Sequence, residues 1–319
     1  MTKLSRFAIL LTLPLGAFAA DPALLQMVMP DAQVVAGLQV DSAKSSAFGQ
    51  YVLAHLSVND TKLQEFTAET GFDPRHDVSD LVIASNWKPN TPDNRWIVAA
   101  HGAFNIAKIT GVAQANGGVL APYQGITVVT HPASSNLQSA TGIAFLDAST
   151  ALVGDLTSVK AAIDRKLANT PANASIVTKA QTASSGEDFW FVTLVPLSNF
   201  SSSIPDPSGA MQGNLLAAIN QASGGIRFGD TVTITAEAVT RSEKDAQALV
   251  DVVKFFASLV QLNRQQNSAA GQVATLLDTL QTSTSGNTTS ISLAIPEQQL
   301  EQLLNSVHPA PAKAAAQIN

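Results

Sequence analysis

The stretch from Asp230 to Asn263 constrains the fold more than any other. Residues from Thr231 to Ala238 alternate apolar and polar, the period of a strand with one dry and one wet face. Ser242 then stands at an N-cap position, with Asp245 three residues on and Glu243 adding charge at the positive end of a helix. Ala246, Leu249, Val250, Val253, Phe256, Ala257 and Val260 form one apolar stripe. A strand feeding an amphipathic helix that folds back over it is the unit expected throughout. Burying those seven side chains would contribute about 10–20 kcal/mol gross. Val252, Phe255, Leu259 and Leu262 widen the stripe, so the helix 243–263 is expected to meet a second element or a second copy of the chain.

The remaining alternations predict an α+β fold of antiparallel sheets, each covered on one face by helices, in two similar halves. The windows 95–168 and 189–263 share an outline of strand, helix, hairpin and helix. The expected organisation is a leader over 1–19, an N-terminal half over 20–169, a polar linker over 170–186, a C-terminal half over 187–306, and a disordered Pro/Ala-rich tail over 307–319. Within this scheme Ala210 to Ala222 reads as a helix stopped by Gly224-Gly225, and Ala174 to Ala183 could form one more helix.

The leader is the strongest functional signal. Lys3 and Arg6 precede an apolar run from Phe7 to Phe18, and Ala17-Phe18-Ala19 fits the small-x-small cleavage rule before Ala20-Asp21. The run is short for a membrane span of about 20 residues, so export with cleavage after about Ala19 is expected. The mature chain is then soluble and does not span the membrane, in the periplasm or outside the cell. Cysteine is absent, which excludes thiolate metal sites, disulfides, cysteine nucleophiles and lipoprotein anchoring. A cysteine-free exported chain of 319 residues reads most simply as bacterial, and the sequons at Asn59, Asn173, Asn199 and Asn287 then arise by chance.

A net charge of −6, with no basic run, argues against nucleic acid as a partner. No Gly-x-Ser-x-Gly elbow, Walker loop or dinucleotide fingerprint occurs, and no cofactor is implied. Asp73, Arg75, His76, Asp77 and Asp80 make the most polar cluster. His76, Asp77 and Asp80 are its candidate metal ligands, but they lack the spacing of a calcium loop or a zinc helix. The simpler reading is a turn at Asp73-Pro74 with Arg75 paired to Asp77. The five histidines, His55, His76, His101, His131 and His308, are dispersed. Paired carboxylates act through space, so chain spacing does not identify them, and 6% aromatic residues is low for a carbohydrate cleft. Of the tryptophans, Trp87 is a candidate binding anchor, while Trp96 and Trp190 read as packing residues.

Three segments resemble uncharacterised exported bacterial proteins of the acidobacterial kind. These are Thr70 to Asp77, Phe145 to Asp164, with Phe145-Leu146-Asp147 and Val153-Gly154-Asp155, and Ser242 to Ala246. The resemblance implies an exported protein and carries no activity or catalytic residue. The function expected is non-enzymatic binding or scaffolding, with an envelope protein, or the chain itself through its 243–263 helix, as candidate partner. The alternative is a hydrolase whose site is assembled from loops near His76, His101 or His131.

Overall fold

The computed structural model describes residues 20–55, 61–87, 93–133, 139–170, 174–200, 214–265 and 268–307. The expected leader, and the tail beyond Val307, lie outside them. The chain opens with α1 (Pro22–Leu25), where Asp21 Oδ1 accepts from the Ala23 N–H at 2.7 Å and Pro22 sits at the first helical position. Strand β1 (Val34–Gln39) is followed by helices α2 (Val40–Ser45), α3 (Ala47–His55), α4 (Thr61–Thr70) and α5 (Pro74–Asp77). Strands β2 (Val78–Ser85) and β3 (Trp96–Gly102) precede α6 (Ile106–Ala115). Then come β4 (Val119–Tyr123), β5 (Ile126–His131), β6 (Thr141–Phe145), β7 (Thr150–Asp155), α7 (Leu156–Leu167) and α8 (Ala174–Ala183). The second half holds β8 (Phe189–Thr193), α9 (Asn214–Ala218), β9 (Ile219–Arg227), β10 (Thr231–Thr240), α10 (Glu243–Leu262) and α11 (Ser268–Leu277). It ends with β11 (Gln281–Ser285), β12 (Thr288–Pro296) and α12 (Glu297–Val307).

The fold is α+β, and its strands join a single antiparallel sheet in the order β11-β12-β10-β9-β8-β1-β2-β3-β7-β6-β5-β4. Strands of the first half occupy one end and strands of the second half the other. Between them β1 pairs with β8, placing Gly37 opposite Trp190. A Cβ on Gly37 would lie 2.4 Å from the Trp190 ring, so only glycine leaves room for that indole to lie across the seam. Among the described residues no helix is long and apolar enough to cross a membrane.

One face of the sheet carries helices along its whole width. Val40, Ala43 and Leu53 of α2 and α3 pack with Leu38, Leu81 and Ala100 on the central strands β1, β2 and β3, and Leu249 of α10 packs with Ala222 and Ala238 on β9 and β10. On the second face, which holds Trp190, helices among the described residues cover the first-half strands and β8. There Leu24 and Leu25 of α1, Val159 and Ile163 of α7, and Ile176 and Ala180 of α8 bury Val82, Ala99, Leu152, Ala144 and Val128. Ala20 belongs to this core, and its N–H donates to Ser184 Oγ at 2.9 Å.

Local chemistry explains most boundaries. Asn105, Asp155 and Ser242 cap α6, α7 and α10 by accepting from the N–H three residues on, at 3.1, 2.9 and 3.2 Å. Gly71 follows α4 at φ 72°, a left-handed cap. Other expectations need correction. The stretch 170–186, read as a linker that could hold one more helix over Ala174 to Ala183, carries α8 over those residues, and its inner side chains are in the core. The helix expected over Ala210 to Ala222 ends at Ala218, because β9 begins at Ile219 and runs through Gly224 and Gly225; residues 210–213 lie outside the described residues. Of the seven stripe residues of α10, only Ala246, Leu249 and Val250 are buried, so the gross burial term given for that helix was too large.

Candidate functional site

Beyond Trp190 the same face of the sheet carries no helix among the described residues, and the residues that point from it become polar. Two rows cross the strands in register. In one, Gly225, Thr235, Ser292 and Gln281 stand side by side on β9, β10, β12 and β11. In the next, Ser223, Glu237, Ser290 and Ser283 do the same. Successive rows on one face lie about 6.8 Å apart, two residues along each strand. Helix α8 rises at one side through Lys179 and Thr182, and β11 closes the other side as the sheet edge. The result is an open trough of about 620 Å³ with a floor of hydroxyl and amide groups.

Glu187 is the one acid buried in this trough, at 9% exposure. Its side chain lies over Gly225, where a Cβ would meet Glu187 Cγ at 2.6 Å. The glycine pair read as a helix stop therefore does different work. Gly225 makes room for the acid, and Gly224 lets β9 approach Phe191 and the Thr235 carbonyl. Glu187 Oε1 accepts from Thr235 Oγ1 at 3.2 Å, and buried Oε2 has no partner. Its neighbour Asp188 is fully engaged, by Ser42 Oγ at one oxygen and by the Phe228 N–H at the other. Burial pushes the Glu187 carboxyl above the usual carboxylate range, against the opposing pull of the Thr235 hydroxyl and Arg227. A carboxyl held at one oxygen, with the other buried and unsatisfied, is an acceptor short of a donor.

The residues singled out in the sequence lie elsewhere. His101 Nδ1 stands 2.8 Å from Asp21 Oδ2. Asp80 is its cross-strand neighbour, with a carboxyl raised by burial and by Asp41 and Asp21. Such a carboxylate-held imidazole could serve as a base, but Thr150, the register partner on its other side, gives its hydroxyl to Asp147 at 3.1 Å. His131 pairs with Thr141, which pairs with Asp155 at the far end of β7 from Thr150. His101 and His131 are thus separated by about 17 Å along the strand direction alone. His76 is exposed beside Asp73, at 3.9 Å, and Lys44 Nζ takes its carbonyl.

Asp77 accepts the Asp73 N–H at 2.7 Å, and Arg75 pairs with Asp73 at 2.6 Å rather than with Asp77, as its spacing had suggested. That contact holds the Asp73 carboxyl below its ordinary range. His76, Asp77 and Asp80 are therefore engaged separately, and among the described residues no group of three His, Asp or Glu side chains could hold a metal ion. The side chain of His55, and His308, lie outside the described residues. Trp87 stacks on Phe200 at 4.9 Å, while Trp190 is buried in the seam. Sequence reasoning missed Glu187 and Glu237. The usable signal was the Ser/Thr alternation of 231–237 and 288–292, which marks the wet face on which they meet. Comparison of the chain with protein-family models, with curated proteins and with solved structures returns no match.

Proposed function

We propose that this chain is an exported bacterial protein that works by binding rather than catalysis, in the periplasm or outside the cell, and that the trough is its ligand seat. The observation that carries the reading is the uncovered half-face. Four strands present hydroxyls in register beside a helical wall, and a buried acid with one free oxygen stands among them. A floor that served only to meet water would have no use for a glycine cleared to lay a carboxyl on it. The hydrolase alternative finds little support, since His76, His101 and His131 do not line the trough and His101 and His131 do not converge.

Two measurements test this. Cells expressing the full chain are fractionated, and the envelope form is weighed intact; loss of residues 1–19 is expected, and a full-length cytoplasmic product would sink the export claim. The purified protein is then warmed with a small-molecule extract of the envelope fraction. A rise in Tm that Ser223→Trp abolishes is expected, and no rise would sink the binding claim.

A second reading, self-association through α10, is favoured by one observation. Phe255, Leu259 and Leu262 remain 58%, 38% and 79% exposed although α11 packs beside this helix. Light scattering showing a monomer at all concentrations would remove it.

A further inference from the structure

The trough holds more information about its ligand than its polarity alone. Glu187 lies in the row of Thr235, and Glu237 projects from the next row of the same face. The two rows are about one strand repeat apart, roughly 6.8 Å, within the reach of two glutamate side chains toward one small ligand. The hydroxyls of Ser223, Ser290 and Ser292 surround the space between them. Among the described residues the lining contains no aromatic ring on which a sugar could stack. The one cation among them is Lys179, exposed on the α8 wall, where its stem lets the ammonium turn to water. Arg227 acts on Glu187 from outside the lining and Asp188 opposes it, so the two trough acids outweigh the cation that shares their cavity.

A carboxylate that is buried and half-satisfied pairs best with a charged donor carrying several N–H bonds. Beside it Glu237 offers a second, exposed carboxylate one row away, which calls for two donors on one short chain. Resting on the binding reading above, we infer that the trough takes a small aliphatic diamine of about four carbons. One ammonium sits on the free oxygen of Glu187 and the other on Glu237, and the serine hydroxyls accept the remaining N–H groups. An ammonium has three donors and no acceptor, which suits a floor whose hydroxyl oxygens can all accept.

Titration calorimetry on the purified protein tests the assignment with three probes of similar length: putrescine, butylamine and 1,4-butanediol. Putrescine is expected to bind, butylamine at least about tenfold more weakly, and butanediol without measurable heat. Glu187→Gln and Glu237→Gln should each weaken putrescine by about tenfold or more. Both changes preserve volume, and Glu237 is exposed, so folding is expected to be kept; an unchanged near-ultraviolet circular dichroism spectrum checks it. The assignment falls if putrescine gives no heat, if butanediol binds as well as putrescine, or if both Gln variants bind it like the parent. Those failures are separable from failure of the binding reading. An extract-induced Tm rise that Ser223→Trp removes, alongside silence from putrescine, means that the trough binds a different chemistry.

Discussion

One register row crosses the whole sheet and changes character at its middle. On the first-half side it runs Gly37, Val82, Ala99, Leu152, Ala144 and Val128, apolar and roofed by helices. On the second-half side, beyond Trp190, it runs Gly225, Thr235, Ser292 and Gln281, open to solvent. The backbone is the same antiparallel ladder in both. What differs is whether a helix follows on that side: α7 and α8 lie on the Trp190 face, while α10 lies on the opposite one. A sheet face becomes core or binding floor according to where its helices are sent, and the side chains match that choice.

The sharpest way to break the contrast is at its boundary. Trp190→Ala should cost about 3–5 kcal/mol in urea unfolding, because it empties the most voluminous fully buried side chain. A cost below about 1 kcal/mol would mean that the seam is not part of the core. Asp155→Ala comes next, at about 2–3 kcal/mol. It removes the cap of α7 and strands the Trp96 N–H, which donates to Asp155 Oδ2 at 2.9 Å.

Glu187→Gln should act in the other direction. The native carboxyl has a raised pKa, so as pH rises the unfolded chain releases this proton first, and stability falls between the ordinary and the raised value. Below the ordinary value both states hold the proton and no penalty exists. The variant should therefore gain about 1 kcal/mol over the parent near neutral pH. That gain should fade as the pH falls to the ordinary carboxyl range; a gain that persists in acid would contradict the burial argument. Ser290→Ala, on the wet floor, should change stability by less than about 0.5 kcal/mol. A larger loss would show that the floor is held by more than solvent.

Much of the fold could be read from local chemistry, because caps and alternation are written within a few residues. Ser242, Asn105 and Asp155 declare their helices, and Thr231 to Ala238 declares both faces of β10. The union of two expected sheets into one was not legible, since it depends on β1 meeting a strand from the other half. Gly224-Gly225 misled for a similar reason. A glycine pair after an apolar run marks a helix stop, and nothing nearby reveals that Glu187 needs the space. Glu187 itself sits in a polar stretch, and its partner Thr235 is 48 residues on. The site escaped notice because it is made wholly of contacts distant in sequence, while the histidines that drew attention are dispersed in space as they are along the chain.

The β1–β8 pairing also bears on the order in which the molecule comes together. Each half is a set of largely local hairpins, which close quickly; β1 finds β8 only across about 150 residues of intervening chain. Helix α8 packs Ile176 and Ala180 into a core built mostly from the first half, so the wall stands beside the floor strands only once β1 has met β8. The floor strands can therefore exist before the trough has its wall. Ligand affinity should appear only after the last long-range contact has formed, so binding would report on complete folding rather than on either half alone.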